Sequence, residues 1–236
     1  MRWRLLKLNW AYGIGELLIV VAGVMIALGF EQWNSDRLDR VEEVEIIERF
    51  IADLRVDLDS IAFGMEATSE KETALSRIIS SLKSPQKRPS DLTLFLQDVV
   101  ESAAYGWNQG SPRRTTFDEV LASGRFGLIR DTATRVRIAD YYEWNLSRDD
   151  RIEERETDYP NLSYRLVPRV TEFELATDLS DAQLEELINI VLSSPLPEHV
   201  AGEMNFTRFL SEQFTEWRVF CLTLIDELEF YRSTIS

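Results

Sequence analysis

Residues 36–83 read DRLDRVEEVEIIERFIADLRVDLDSIAFGMEATSEKETALSRIISSLK, a stretch with no proline and a single glycine, Gly64. Within it Val44, Ile47, Ile51, Leu54, Leu58, Ile61 and Met65 are spaced 3, 4, 3, 4, 3, 4. That period of 3.5 residues is the a/d seam of helices packed along one another, not the alternation of a strand. Thr68 and Glu72 interrupt the seam; Leu75, Ile79 and Leu82 resume its phase until Pro85 and Pro89 end the element. The other end of the chain repeats the pattern. Phe214, Trp217, Cys221, Leu224, Leu228, Tyr231 and Ile235 carry the same spacing. Two such stripes predict an antiparallel pair crossing at about 20°, with 214–235 on 44–65 and Ile235 near Val44.

Shorter elements lie between them. Asp91 to Tyr105 has helical periodicity after Ser90, and 106–114, with Gly110 and Pro112, reads as a loop. Thr116 and Glu119 have the spacing of a capping box, and Ser123-Gly124 closes that short helix with glycine in the left-handed position. Asp131 opens a helix to about Asp158, which Pro160 stops or bends. Ser180 and Gln183 form a second capping box before Leu184, Leu187, Ile188, Val191 and Leu192, and Pro195 and Pro197 precede the last helix. The expected fold class is all-α.

Working outward to the N-terminus, residues 8–30, LNWAYGIGELLIVVAGVMIALGF, hold one charge, Glu16. Trp10 to Trp33 spans roughly 34 Å along a helix, close to the hydrocarbon thickness of a bilayer. Trp10 and Tyr12 at one end and Phe30 and Trp33 at the other sit where interfacial aromatics belong. Arg2, Arg4 and Lys7 precede the run and place the N-terminus in the cytoplasm. The expected division is a short basic tail over 1–10, a single transmembrane helix over 11–32 continuing into the long helix, and an extracytoplasmic helical bundle over 33–236. A cleaved signal peptide is the competing reading, with Ala27-Leu28-Gly29 as its site; Glu16 and the length of the run weigh against it. Inside the span Gly23 and Ala27 form a small-xxx-small pair and Glu16 is the one ionisable group. These three are the candidates for an intramembrane contact, Glu16 having the alternative of snorkelling to the near interface.

Charge and cysteine exclude whole classes. Residues 1–30 sum to +2 in their side chains, and the remainder to −17. A body so acidic repels phosphates, so nucleic acid is not an expected partner. Cys221 is the one cysteine, which excludes an intrachain disulfide and a thiolate pair for zinc. On the apolar stripe it reads as a buried, inert thiol.

Two segments carry a resemblance. Tyr12-Gly13-Ile14-Gly15-Glu16-Leu17-Leu18, the aliphatic run to Ile26-Ala27-Leu28, and Gln32-Trp33-Asn34 form the first. Thr116-Phe117-Asp118-Glu119-Val120-Leu121-Ala122-Ser123-Gly124-Arg125-Phe126-Gly127-Leu128-Ile129, then Arg135 and Tyr141-Tyr142, form the second. Together they resemble an uncharacterised family of small single-pass bacterial membrane proteins. Its members open with Tyr-x-Ile-Gly-Glu, an aliphatic span and Asn-Asn-Trp-Asn, and later carry Phe-x-x-Leu-x-x-Ser-Gly-x-Leu-x-Leu-Ile and Tyr-Tyr. Glu31 and Gln32 stand in place of the asparagine pair, Val120 intrudes, and Phe126 replaces a leucine. The resemblance implies a single-span anchor with a helical domain, in the bacterial inner membrane with the domain periplasmic. It brings no activity, catalytic residue or cofactor.

Sets of residues that carry chemistry are missing from the sequence. His199 is the one histidine, without the Glu-x-x-His pairs of a di-iron bundle or a zincin spacing, and reads as a surface residue at a helix start. There is no Gly-x-Ser-x-Gly elbow, and Gly13-Ile14-Gly15 lacks the third glycine of a dinucleotide loop. No catalytic residue, metal site or cofactor is expected. One segment runs against the general charge: Arg113, Arg114, Arg125, Arg130, Arg135 and Arg137 are opposed locally only by Asp118, Glu119 and Asp131. With Thr116 at a helix start, Arg113, Arg114, Arg125 and Arg130 are candidates to bind a small anion, or else they pair with acids on neighbouring helices. The leading expectation is a non-enzymatic interaction or scaffold protein whose partners are the lipid bilayer and a further copy of itself (a homo-oligomer) or another membrane protein. An extracytoplasmic anion sensor is the alternative. A carboxylate-based glycan hydrolase comes third, supported only by the abundance of acids.

Overall fold

A computed structural model describes residues 10–86, 88–104 and 110–235, with side chains from Glu16 onward. The basic residues Arg2, Arg4 and Lys7, the side chains of Trp10 and Tyr12, and loop residues 106–109 lie outside the described residues. Among those described there are seven α-helices and no strands.

With no proline between Trp10 and Lys83, nothing breaks the first helix. α1 runs through all 74 of these residues, roughly 110 Å. Its N-terminal third contains an eighteen-residue apolar window of which none is buried, long and apolar enough to cross a membrane. Every side chain from Glu16 to Leu38 is exposed, and the buried face begins at Glu43, Ile46 and Ile47. The expected passage of the span helix into the domain helix is therefore present as one rod.

α7, Leu196–Ile235, returns antiparallel along α1. Tyr231 meets Glu43, the Cys221 thiol donates to the Leu54 carbonyl, and Arg208 meets Glu72. Ile47, Ile51, Leu54 and Ile61 of one stripe and Phe214, Trp217, Cys221, Leu224 and Leu228 of the other are buried in one core. Val44 and Ile235 are only half-buried, because the pair tapers at the foot. Ile46 and Phe50, off the stripe, are buried as well. A second flank of α1 is covered by α3 (Thr115–Ala122) and the 3-10 turn Arg125–Leu128, while α4 (Thr132–Glu153) packs on α7; together with the intervening residues they add Phe117, Val120, Ile129, Tyr141 and Tyr142. Further along the rod α2 (Leu92–Ser102), α5 (Tyr159–Leu166) and α6 (Asp181–Ser193) build a second core around Leu75, Ile78, Leu96, Val99, Tyr159, Ile188 and Val200.

A polar layer separates the two cores, at the place where the heptad seam is interrupted. Thr68, Lys71, Glu203 and Thr207 are all buried. The Lys71 ammonium lies 2.5 Å from Glu203 Oε1, and the Thr157 hydroxyl donates to the other oxygen. Thr68 returns its hydroxyl to the Gly64 and Met65 carbonyls, 2.9 Å each, so the helix continues through it.

Three local expectations are corrected. α4 ends at Glu153, and Pro160 is the second residue of α5, where a missing N–H costs nothing. α2 is N-capped by Asp91, which accepts from the Leu94 N–H at 2.9 Å, and stops at Ser102. The capping box at Thr116 and Glu119 does not form: α3 begins at Thr115 with Arg114 in the N-cap place, Thr116 is buried, and Glu119 is bound by Arg49. The Ser180–Gln183 box is formed, and Gly124 has φ 72° as the turn requires.

Gly64 lies directly under the Phe214 ring of α7. A Cβ there would lie 2.3 Å from carbons of the Phe214 ring. Gly64→Ala should lower the melting temperature of the detergent-solubilised chain, since overpacking costs about 1–3 kcal/mol against a gain of about 1 kcal/mol in helix propensity. In a Phe214→Ala background the same change should stabilise. Stabilisation by Gly64→Ala alone would show that the ring does not pack there.

Candidate functional site

The 110–137 segment is held to α1 by carboxylates that stand within the apolar face of the helix. Asp57 follows Leu54 by three residues and precedes Ile61 by four; Glu43 precedes Ile47 by four. Both are buried, Glu43 fully and Asp57 with 1% exposure. Buried carboxylates need donors, and main-chain N–H groups of the segment supply them. Arg130 N–H donates to Glu43 Oε1 at 2.7 Å, Arg113 N–H to Asp57 Oδ1 at 2.7 Å, and Thr116 N–H to Asp53 Oδ2 at 3.1 Å. Thr116 lies in the first turn of α3, where N–H groups have no partner inside the helix. Asp53 thus fills, from another helix, the place of a capping side chain and of an anion at the dipole.

A polar chain runs inward from Asp57. Tyr141 donates its hydroxyl to Asp57 Oδ2 at 2.6 Å and accepts from Trp217 Nε1 at 2.9 Å. Arg148, buried, lies with its guanidinium 4.0 Å from the Trp217 ring and donates to the Gly110 carbonyl and to Asp149 at 2.7 Å. Tyr142 donates to the Arg113 carbonyl and stacks on Phe117, ring centres 4.2 Å apart, with Arg114 over both rings. Burial pushes the Asp57 carboxyl up to about 6, against the opposing hydrogen bonds from Tyr141 and Arg113. Burial and then the Asp57 charge raise the Tyr141 hydroxyl far above its ordinary value, which keeps it a donor. Burial also pushes the Cys221 thiol up to about 12, so it stays protonated.

Five of the six arginines singled out in the sequence meet acids. Arg113 Nε is 3.3 Å from Asp53, Arg114 3.1 Å from Asp118, Arg125 2.8 Å from Glu42, Arg130 4.0 Å from Asp36, and Arg137 2.9 Å from Glu227. Arg135 turns back on the Ile129 carbonyl and the Thr132 hydroxyl. The structure brings Arg113, Arg114 and Thr116 together at the start of α3 and sets Arg125 and Arg130 apart, toward the foot of the domain. Arg125 lines a groove of about 330 Å³ between α1 and α3, beside Glu42 and the Arg49–Glu119 pair. A larger cleft, about 560 Å³, lies elsewhere, between α1, the end of α2 and Phe173; its Glu70 and Glu101 are accompanied by Lys71 and Arg77. Glu16, Gly23 and Ala27 are exposed on the apolar N-terminal part of α1.

The residues that order this region, Glu43, Asp53 and Asp57, are not among those the sequence reading selected. The signal for Glu43 and Asp57 was an acid three or four residues from two core positions at once. Comparison of the chain with family models, with curated proteins and with solved structures finds no match.

Asp57 has a testable pH signature. Its folded-state value lies above the ordinary 3.8. The stability it contributes is therefore present in full below pH 3.8 and lost as pH rises through about 6. Across that window the wild-type chain should lose up to roughly 3 kcal/mol relative to Asp57→Asn in denaturant unfolding. A constant difference between the two from pH 4 to 7 would mean that this carboxyl titrates as a surface acid. At the pairs themselves, Asp53→Ala should cost about 1–3 kcal/mol by orphaning the Thr116 N–H. Arg125→Ala, which removes an exposed pair, should cost under about 1 kcal/mol. Equal costs would contradict this ranking.

Proposed function

We propose that the chain is a membrane-anchored helical interaction protein of the bacterial envelope, without catalytic activity. On this reading residues 11–32 cross the inner membrane, the N-terminus is cytoplasmic, and the acidic domain over 33–236 is periplasmic. The observation that carries it is the single unbroken α1, apolar and wholly exposed up to Phe30 and a core helix from Glu43 onward. Such an exposed apolar length is stable in lipid and not in water. The basic residues before the run support the orientation.

The chemistry of the domain favours packing over turnover. Five of the six arginines at 113–137 face acids, and the buried Tyr141 links Asp57 to Trp217. Both segments that resemble the single-pass family take part in this arrangement: the first opens α1, and the second is the clasp laid on it through Phe117, Val120, Ile129, Tyr141 and Tyr142. A long helix presenting surface both in the bilayer and above it suits a scaffold.

Two measurements test the reading. The full chain should resist alkaline carbonate and leave membranes only with detergent, and protease added to spheroplasts should digest the domain. A mature polypeptide that starts near Phe30 and escapes on mild osmotic shock would remove the anchor. Chemical crosslinking in membranes should trap higher-mass species; recovery of monomer alone, where known complexes are trapped, would remove the interaction role.

A further inference from the structure

We infer that two copies of this chain pair in parallel along one seam of α1, from Glu16 inside the span to Val41 at the foot of the domain. The inference rests on the anchored reading above and names the partner that reading leaves open. The seam comprises Glu16, Val20, Gly23, Ala27, Phe30, Asn34, Leu38 and Val41, spaced 4, 3, 4, 3, 4, 4, 3, and every one is exposed. On a helix of 3.6 residues per turn they fall within roughly 80° of one another.

The two halves of the seam point to a partner independently. Inside the span, a Cβ on Gly23 would meet nothing of its own chain within 4 Å, whereas Gly64 on the same helix is required by Phe214. Glycine inside a helix costs about 1 kcal/mol relative to alanine, and no contact within the chain offsets that at Gly23 or at Gly29, of which Gly23 lies on the seam beside Ala27. Close approach of a second helix backbone does. Beyond Trp33 the helix turns polar, with Asp36, Arg37, Asp39, Arg40 and Glu42, yet Leu38 and Val41 stand out of the domain core at 60% exposure each. They lie on the same side as Gly23 and Ala27, opposite the face that α7 covers.

The length of the seam selects its occupant. Lipid covers Gly23 and Ala27 but not Val41, which lies about 12 Å beyond Trp33 along the axis. A soluble protein reaches Leu38 and Val41 but not the middle of the bilayer. A second membrane-anchored helix that continues outward in the same orientation reaches both, and α1 of another copy is such a helix. In a parallel pair Asn34 faces its own counterpart, the buried asparagine contact that fixes register and orientation in two-stranded coils. Above Val41 the same face presents Glu45 and Asp59, which would meet their own copies and repel them. The unbroken part of the seam therefore ends at Val41.

Oxidative crosslinking of the full chain in membranes tests this, with single cysteines from Leu38→Cys, Val41→Cys and Ser35→Cys; the buried Cys221 is left in place. Disulfide dimers are expected at 38 and 41, where Cα atoms of a parallel pair fall within bridging distance, and not at 35, on another side of the helix. Adding Gly23→Leu should reduce the yield at 38 about tenfold, the equivalent of about 1.4 kcal/mol. Equal yields at all three positions overturn the pairing, as does an unchanged yield with Gly23→Leu. Absence of dimers at 38 and 41 in a chain that resists carbonate overturns the pairing while leaving the anchor standing. A chain released by carbonate overturns both.

Discussion

α1 is one helix, so a single rigid axis sets the position of everything else in the molecule. Its inner face changes neighbours along its length: apolar residues exposed through Trp33, then α7 with the α3–α4 clasp, then α7 with α2. A helix has no internal hinge unless a proline, a bulge or an inserted side chain provides one. No proline occurs between Trp10 and Lys83, and Thr68 bonds its own helix in place of breaking it. Rotation of the rod at one end is rotation at the other. For a protein anchored as proposed, the orientation of the domain above the bilayer follows from the orientation of the span within it.

Polar groups, more than apolar ones, determine which register of α1 and α7 is taken. Two stripes of 3.5-residue period can slide by a heptad and still bury leucine against leucine. The Lys71–Glu203 pair forbids that. A slip of seven residues would set Lys71 opposite Leu196 or Leu210, both buried. An unpaired charge in that position costs several kcal/mol, more than the pair itself contributes as net stability. Glu43 and Asp57 act similarly on the clasp, because each carboxylate has a main-chain N–H at 2.7 Å that only one register supplies.

The rod and its pairing were legible because periodicity survives any tertiary context: a seam spaced 3 and 4 has one way to bury itself. The Ser180 cap and Gly124 were legible for a related reason, since each satisfies a local rule that nothing overrides. Thr116 and Glu119 have the spacing of the same local rule and fail it, because Asp53 from α1 reaches the first turn of α3 and takes the Thr116 N–H that the Glu119 carboxylate would have taken. Local reading cannot see a donor or acceptor brought from sixty residues away. The arginine cluster shows the same limit. Along the sequence it is an island of positive charge; in space it lies against the acids of α1 and α7, which the sequence presents only as a diffuse excess.

That spatial matching bears on where the acidic charge of the domain acts. At the foot, Arg40, Arg125 and Arg130 are matched with Glu43, Glu42 and Asp36. The net −17 of the chain beyond residue 30 is therefore carried mainly by surfaces farther out along the rod. Charge placed so is repelled by an anionic lipid surface and by the same surface of a second copy, over a range of about one Debye length, some 8 Å in physiological salt. Near the proposed membrane these pairs reduce the repulsion; farther out, like charge opposes the close approach of a second domain. That gradient follows the composition of one helix, which is apolar from Leu17 to Phe30 and carries charge beside its apolar face above Glu43.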